Sequence, residues 1–398
     1  MHTRKKHMLA MMAVSMGMIG LTHAADTVSE EIAPDGAMKA GPFYLYPTIK
    51  TGLGYTDNVT NAASNTTSSS ILTVAPAVAL KYRVAGDEYQ VGYAGAYTRY
   101  MRSSSDDIDR HEFQAQANNV YSERARSQFK ATATWDADAR GSTDRAVSSE
   151  PDRYRTYGVN GLFVYGAKEA TGGLEGELGY RNKRYLNNRT QTASSDVDFF
   201  DATGRFFYRV APSTRSFVEL GYTGINYTSA SSIQDGSESR AMLGVTWDAT
   251  AATSGTLKLG GMKKRFDNAS IESRNSLIWE ALVRWKPRSY STFELKTGSK
   301  PAESTGQGDF VDNSYIGLNW EHKWSDRFTS QLGYDYTHSQ YRGVSRTDNT
   351  GVLGADVTYL FRRWVSFSVD YSHDQRSSTL ADQKYRKNVV MLNARFSL

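Results

Sequence analysis

Residues Ser314–Tyr341 read SYIGLNWEHKWSDRFTSQLGYDYTHSQY. In the first half Ile316, Leu318, Trp320 and Trp324 alternate with Tyr315, Gly317, Asn319, Glu321 and Lys323. That period of two puts an apolar row on one face of a strand and a polar row on the other. Ser325-Asp326-Arg327 makes a tight reversal. Beyond it Phe328, Leu332, Tyr334 and Tyr336 alternate with Thr329, Gln331, Gly333, Asp335 and Thr337. The arms pair into a two-faced hairpin, which is not stable alone. Many such hairpins, closed edge to edge, form a barrel whose apolar face meets lipid and whose polar face lines water.

The rest of the chain repeats this rule from residue 42 to residue 398. Alternating runs begin near 43–56 and end near 385–398, and include 289–298, 350–361 and 364–374. They predict an all-β, transmembrane, antiparallel up-and-down barrel of about eighteen strands. Composition agrees: hydrophobic residues are 39% of the 398, aromatics 12%, and Tyr alone numbers 25. That aliphatic content is too low for several dry cores. A mean hydropathy of −0.55 does not argue against a membrane barrel, because only alternate residues need be apolar. Cysteine is absent, which removes thiol catalysis, thiolate metal sites and disulfides.

Residues 1–24 read as a signal peptide. Arg4, Lys5 and Lys6 precede the apolar run Met8–Leu21, and Thr22-His23-Ala24 supplies the small residues of a cleavage site. Its removal lowers the formal charge of +5 by those three cations, so the pI is no sign of a nucleic-acid partner. Residues 25–41 show no periodicity and read as a periplasmic segment.

Connections sort by length. Short links such as Ala85-Gly86-Asp87, Ala211-Pro212-Ser213 and Arg362-Arg363 alternate with long polar ones such as Asp57–Ser69, Ala139–Arg153, Lys300–Phe310 and Gln375–Lys384. Outer-membrane barrels place short turns in the periplasm and long loops outside, so both termini are expected on the periplasmic side. Aromatics gather at both strand ends, with Tyr82, Phe217, Trp285 and Trp324 near short turns and Tyr55, Tyr180, Tyr227 and Phe266 near long loops. Two such girdles match the interfaces of a bilayer. Pro47 and Pro76 fall inside the first two strands and predict a bulge or a shifted boundary there. The last strand presents Val390, Leu392, Ala394, Phe396 and Leu398 on one face, and resembles the C-terminal strand that barrel-assembly machinery reads.

No catalytic pattern is present: the chain has no G-x-S-x-G, H-E-x-x-H, Walker loop or G-x-G-x-x-G. Asp136–Gly141 matches a calcium loop poorly, with Arg140 in place of an oxygen donor. The reading is a channel, not an enzyme, with no cofactor and no metal. By parity the polar rows lining the pore include Lys81, Arg83, Arg181, Arg205, Glu280, Arg284, Glu321, Lys323, Asp335 and Asp370. Both charge signs are represented, which predicts little selectivity between cations and anions. Arg99, Arg102, Lys183, Arg184, Lys263, Lys264 and Arg265 lie toward the outside, placed to meet lipopolysaccharide phosphates.

Residues 46–100 carry a further signal. Tyr55-Thr56-Asp57-Asn58-Val59 closes the first strand, a Ser/Thr/Asn-rich loop follows, and then come Leu72-Thr73-Val74-Ala75-Pro76-Ala77-Val78-Ala79-Leu80 and a Tyr-rich strand ending at Tyr100. This stretch resembles the putative β-barrel porin 2 family. The resemblance implies an outer-membrane barrel associated with exopolysaccharide export, working with a periplasmic polysaccharide-export protein. It brings no catalytic or binding residue with it. The expected function is a passive conduit for secreted exopolysaccharide. The alternatives are a diffusion porin for small solutes and a plugged structural or adhesive barrel.

Overall fold

The computed structural model describes residues 37–230, 232–248 and 252–397. The signal peptide, most of the periplasmic segment and Leu398 lie outside the described residues. Alternation of apolar and polar side chains drives almost every described segment into a strand. In chain order these are β1 (Met38–Ala40), β2 (Phe43–Thr56), β3 (Ser69–Val84), β4 (Asp87–Tyr100), β5 (Ile108–Val120), β6 (Ala125–Asp138), β7 (Asp152–Tyr165), β8 (Gly172–Tyr185) and β9 (Val197–Ala211). They continue with β10 (Thr214–Tyr227), β11 (Gly236–Trp247), β12 (Thr253–Phe266), β13 (Arg274–Arg288), β14 (Ser291–Glu303), β15 (Phe310–Ser325), β16 (Phe328–Tyr341), β17 (Thr347–Arg362), β18 (Val365–Ser378) and β19 (Tyr385–Ser397).

Each of β2 to β19 pairs antiparallel with the next, and β19 pairs back onto β2 from Val389↔Thr56 to Ser397↔Thr48. The ring therefore closes on eighteen strands. Closure leaves no open edge within the hydrocarbon, as lipid requires. In the hairpin quoted first, Trp320 faces Leu332 and Leu318 faces Tyr334 on one side, while Glu321 faces Gln331 and Gly317 faces Asp335 on the other. Leu53, Val91, Phe113, Leu178, Leu220, Leu318 and Val369 are all more than 40% exposed on the outer face. That is the lipid-facing row. Trp324 and Trp364 near short turns, and Tyr55 and Tyr180 near long loops, are exposed at its margins.

Two expectations change. Neither proline makes a bulge. Pro47 pairs with Val78 and Pro76 with Ile49 in an unbroken β2–β3 register, and Pro47 sits just past the last β19 pair at Thr48. Opposite β4 the pairing skips Ala75 and Pro76 but resumes in the same register, from Val74↔Tyr97 to Ala77↔Ala94. The missing N–H interrupts the ladder without shifting it. The long loops after β14 and β18 are also shorter than expected. Lys300–Glu303 continues β14 against Phe310–Asn313, and Gln375–Ser378 continues β18 against β17.

The sorted connections predict a labelling pattern. A cysteine at Ser64 or Val147, both exposed on the long-loop side, should react with an impermeant maleimide on intact cells. One at Asp326 in the β15–β16 turn should react only after the outer membrane is permeabilised. Equal labelling of all three sites would rule this topology out, and labelling of the turn site alone would invert it.

Candidate functional site

Strand parity decides which side chains enter the lumen. On β8 the exposed Leu174, Leu178 and Tyr180 point to lipid, so Glu175, Glu177 and Arg181 point inward. The same reasoning places Lys81 and Arg83 (β3), Arg205 (β9), Glu280 and Arg284 (β13), Glu321 and Lys323 (β15), Asp335 (β16) and Asp370 (β18) on the inner wall.

Register then brings opposite charges together across neighbouring strands. Arg205 is the hub on one side: its Nε donates to Glu219 at 2.7 Å and its Nη1 to Glu177 at 3.2 Å, with Glu175 at 3.6 Å. Glu219 also meets Arg240 at 3.3 Å and Lys258 at 3.6 Å, and Lys258 reaches Glu280 at 3.3 Å. Farther round, Arg284 pairs with Glu294 at 2.7 Å, Lys296 with Asp335 at 2.8 Å and Lys50 with Asp370 at 3.5 Å. Arg83 pairs with Glu88 and Lys323 with Glu321 at the periplasmic rim. Arg181 lies 3.9 Å from the centre of the Phe199 ring. The Arg205 and Glu219 side chains are nearly buried, at 6% and 3% exposure, where an unpaired charge would be costly, whereas Arg83, Arg284, Lys296 and Lys323 are exposed to the water of the lumen. Lys50 joins the inward residues predicted above, because the alternation of β2 about the lipid-facing Leu53 turns it to the lumen.

The outer end of the lumen is crossed by loops. The segment between β6 and β7, residues 139–151, folds inward and is the hub of this cap. Tyr341 Oη donates to Asp144 Oδ1 at 2.6 Å, and Arg346 pairs with the same carboxylate at 3.1 Å. Because β7 and β16 stand nine positions apart in the eighteen-strand ring, these contacts bridge its diameter. Arg145 donates to Asp152 at 2.8 Å and to the Thr305 carbonyl at 2.9 Å, and stacks over the Tyr185 ring at 4.5 Å. Arg140 binds Asp106, Arg376 donates to the Gly141 carbonyl at 3.0 Å, and Asn61 donates to the Arg140 carbonyl at 3.2 Å. Gly141 has φ +69, and a Cβ there would meet the Thr60 carbonyl oxygen at 2.4 Å, so only glycine lets the loop lie this close. The Arg346 side chain has no exposed surface. Burial disfavours its charge, and hydrogen bonding to Asp348 together with Asp144 overcomes that, holding its pKa above the ordinary value. This cap could not be found by periodicity, since it joins residues nearly two hundred positions apart.

Other residues turn out to have other neighbours than expected. Lys183 and Lys264 face inward, Lys183 toward Asp138 at 3.3 Å and Lys264 in a pocket formed with Glu238 and Glu303. They cannot meet lipopolysaccharide. Arg99 pairs with Asp109 and Arg184 with Asp198; Lys263 and Arg265 remain exposed. Phe217, Tyr227 and Phe266 also have inward parity: Phe217 packs on Phe207 at 4.9 Å, Tyr227 donates to Glu303 at 2.9 Å, and Phe266 lies 5.8 Å from Phe310. Strand-end position alone grouped them with the girdle; parity separates them. In the weak calcium-like stretch, Asp138 is taken by Arg145, Lys183 and the Tyr185 hydroxyl. Asp136 faces Arg110. Among the described residues no group of three or more His, Asp or Glu is arranged to hold a metal.

A closed antiparallel barrel with lipid-facing apolar rows, aromatic margins and a charged lumen defines an outer-membrane channel. Residues 32–398 match the model of the putative beta-barrel porin 2 family, and the chain belongs to that family. It is a bacterial outer-membrane barrel of porin type and not an enzyme. No curated protein matches it. Among solved structures it is similar to OpdK from Pseudomonas aeruginosa, crystallised with vanillate, at 10% identity and TM-score 0.51, covering 89% of this chain and 99% of that one. OccAB4 from Acinetobacter baumannii aligns at 12% identity and TM-score 0.48 over 92% and 100% of the two chains. The FrpB iron transporter from Neisseria meningitidis aligns at 9% and 0.46 over 89% and 81%. At such identities the OpdK likeness speaks for the fold alone.

Proposed function

We propose that the barrel is a passive conduit by which a polysaccharide made inside the cell crosses the outer membrane. The observation that carries this reading is the character of the lumen. Eighteen strands enclose an aqueous passage, and most of its wall charges are spent on each other, from Arg205 with Glu219 to Lys296 with Asp335. Such a wall offers hydrogen-bonding groups to a hydrated chain without strong selection for small ions. The family resemblance of residues 46–100 supports the same cargo. A conduit needs no nucleophile or cofactor, and its driving force is polymer synthesis at the inner membrane. A periplasmic polysaccharide-export protein would deliver the chain to the short-turn rim.

Deleting the gene should abolish or sharply reduce extracellular polysaccharide while the polymer is still made and small-nutrient uptake is unchanged. Normal secretion combined with slowed growth on one small solute would favour a diffusion porin. That second reading draws on the bridge between Asp144 and Tyr341, which narrows the outer mouth. A barrel that never conducts in a planar bilayer would instead be the plugged, structural form.

A further inference from the structure

One row in the wall from β3 to β7 differs from the ion pairs around it, such as Arg110 with Glu112 and Asp136. Val91, Phe113, Phe129 and Val159 are exposed to lipid, so Gln90, Gln116, Lys130 and Asn160 face inward. Register sets them in a single row: Lys81 opposite Gln90, Gln90 opposite Gln116, Gln116 opposite Lys130, and Lys130 opposite Asn160. Gln114 sits beside that row, opposite Gly92 and Thr132. Adjacent strands lie about 4.8 Å apart, so Lys81 and Lys130 are roughly 14 Å apart along the row. The row runs across the strands, which tilt by about 35–45° in such barrels, and therefore climbs the wall obliquely.

Two features set this row apart from the ion-paired positions of the lumen. Neither Lys81 nor Lys130 makes an ion pair among the described residues; Lys81 lies over the Tyr46 ring at 5.7 Å, with Glu88 also near it. Gln90 and Gln114 are 7% and 5% exposed, and the amide nitrogen of each has no hydrogen-bond partner among the described residues. Buried amides without partners are rare in folded proteins and point to a missing polar occupant. Carboxamides both donate and accept, which suits sugar hydroxyls, and lysine ammonium groups suit carboxylates.

We infer that this row, with Gln114 beside it, is a binding track for an acidic polysaccharide, one whose sugar units carry carboxylates, with the unpartnered amides of Gln90 and Gln114 serving hydroxyls and Lys81 and Lys130 serving the charges. The inference rests on the conduit reading and specifies its cargo. It also means that transport is guided along one wall, the paired wall from β8 to β13 remaining a spectator.

The test is calorimetric titration of the full-length barrel in detergent with oligogalacturonate and with a neutral malto-oligosaccharide of equal length. The acidic probe should bind more tightly, with an affinity that falls as salt rises. Lys81→Gln combined with Lys130→Gln should weaken it roughly tenfold or more while the neutral probe is unaffected. Gln90→Ala with Gln114→Ala should weaken the acidic probe and keep its salt dependence. Heat-modifiable migration on gels reports that each variant is folded, and Lys323→Gln, at the rim pair, should bind like the parent. Equal affinity for both probes, or acidic binding untouched by loss of both lysines, would overturn the track. Lysine-dependent binding in a protein whose deletion leaves secretion normal would retain the site and reject the conduit. Lost secretion without lysine-dependent binding would do the reverse.

Discussion

Asp144→Ala should raise the single-channel conductance of the purified barrel several-fold without unfolding it. The Asp144 carboxylate takes the Tyr341 hydroxyl at 2.6 Å, the Thr305 hydroxyl at 2.9 Å and Arg346 at 3.1 Å. It carries the fastening of the inward loop to β16, beside the bonds from Arg145 to the Thr305 carbonyl and from Arg376 to the Gly141 carbonyl. Removing one partner of a buried ion pair costs about 3–5 kcal/mol, and here Arg346 would keep Asp348 but lose the bridge. That cost falls on loop contacts and not on any strand ladder, so the cap releases while the barrel stands. Planar-bilayer recordings would show the larger conductance, and heat-modifiability on gels would stay as in the parent. Val147→Ala, in the same loop but 63% exposed, should change neither. Parent-like conductance both in Asp144→Ala and after replacing residues 141–150 by a short Gly-Ser link would place the constriction elsewhere.

The second large effect concerns the lipid face. Leu332 is 46% exposed on the outer wall, opposite Trp320 and Ala355. A cation there faces hydrocarbon near the bilayer midplane, which costs roughly 2–4 kcal/mol in a barrel of this type. Leu332→Arg should therefore lower the folded fraction in outer-membrane preparations and the midpoint of urea unfolding in vesicles. Gln331→Arg, one residue away, places the same cation in the lumen beside Glu321 and Asp356, where carboxylates receive it. That variant should fold like the parent. The opposite ranking of the two would mean that the parity of β16 is reversed.

That parity, and with it most of the fold, is legible in the sequence because lipid imposes a local rule. Each strand must show apolar residues at alternate positions, so a window of ten residues suffices to find it. Limits came where the rule lapses. Above the membrane Lys300–Glu303 no longer needs an apolar row and reads as part of a long loop, yet pairing with Phe310–Asn313 extends β14. Side-chain direction was legible to the same degree, which is why the ten charged residues fall on the inner wall. Their partners were not. That Arg205 meets Glu219 depends on which residues two strands set opposite each other, and a single residue of turn length changes that. The cap was invisible for a stronger reason: Asp144 and Tyr341 belong to no common pattern. Lys183 and Lys264 were misplaced because proximity to a long loop says how high a residue sits, and not which way it points.

The smallest strand has a consequence of its own. β2 runs lower than β19, whose last pair is Ser397 with Thr48, and this leaves the rim of the ring with a bare edge at Phe43–Leu45. Exposed edges recruit other strands, and proteins blunt them. Here the chain does so with its own upstream residues: it reverses at Gly41, and Met38–Ala40 pairs with Leu45–Phe43. The pairing works as a hem, finishing a margin that ring closure leaves unsewn. It also ties the start of the described chain to the seam between first and last strands, so that whatever tugs on the upstream segment pulls directly on the joint that holds the cylinder shut.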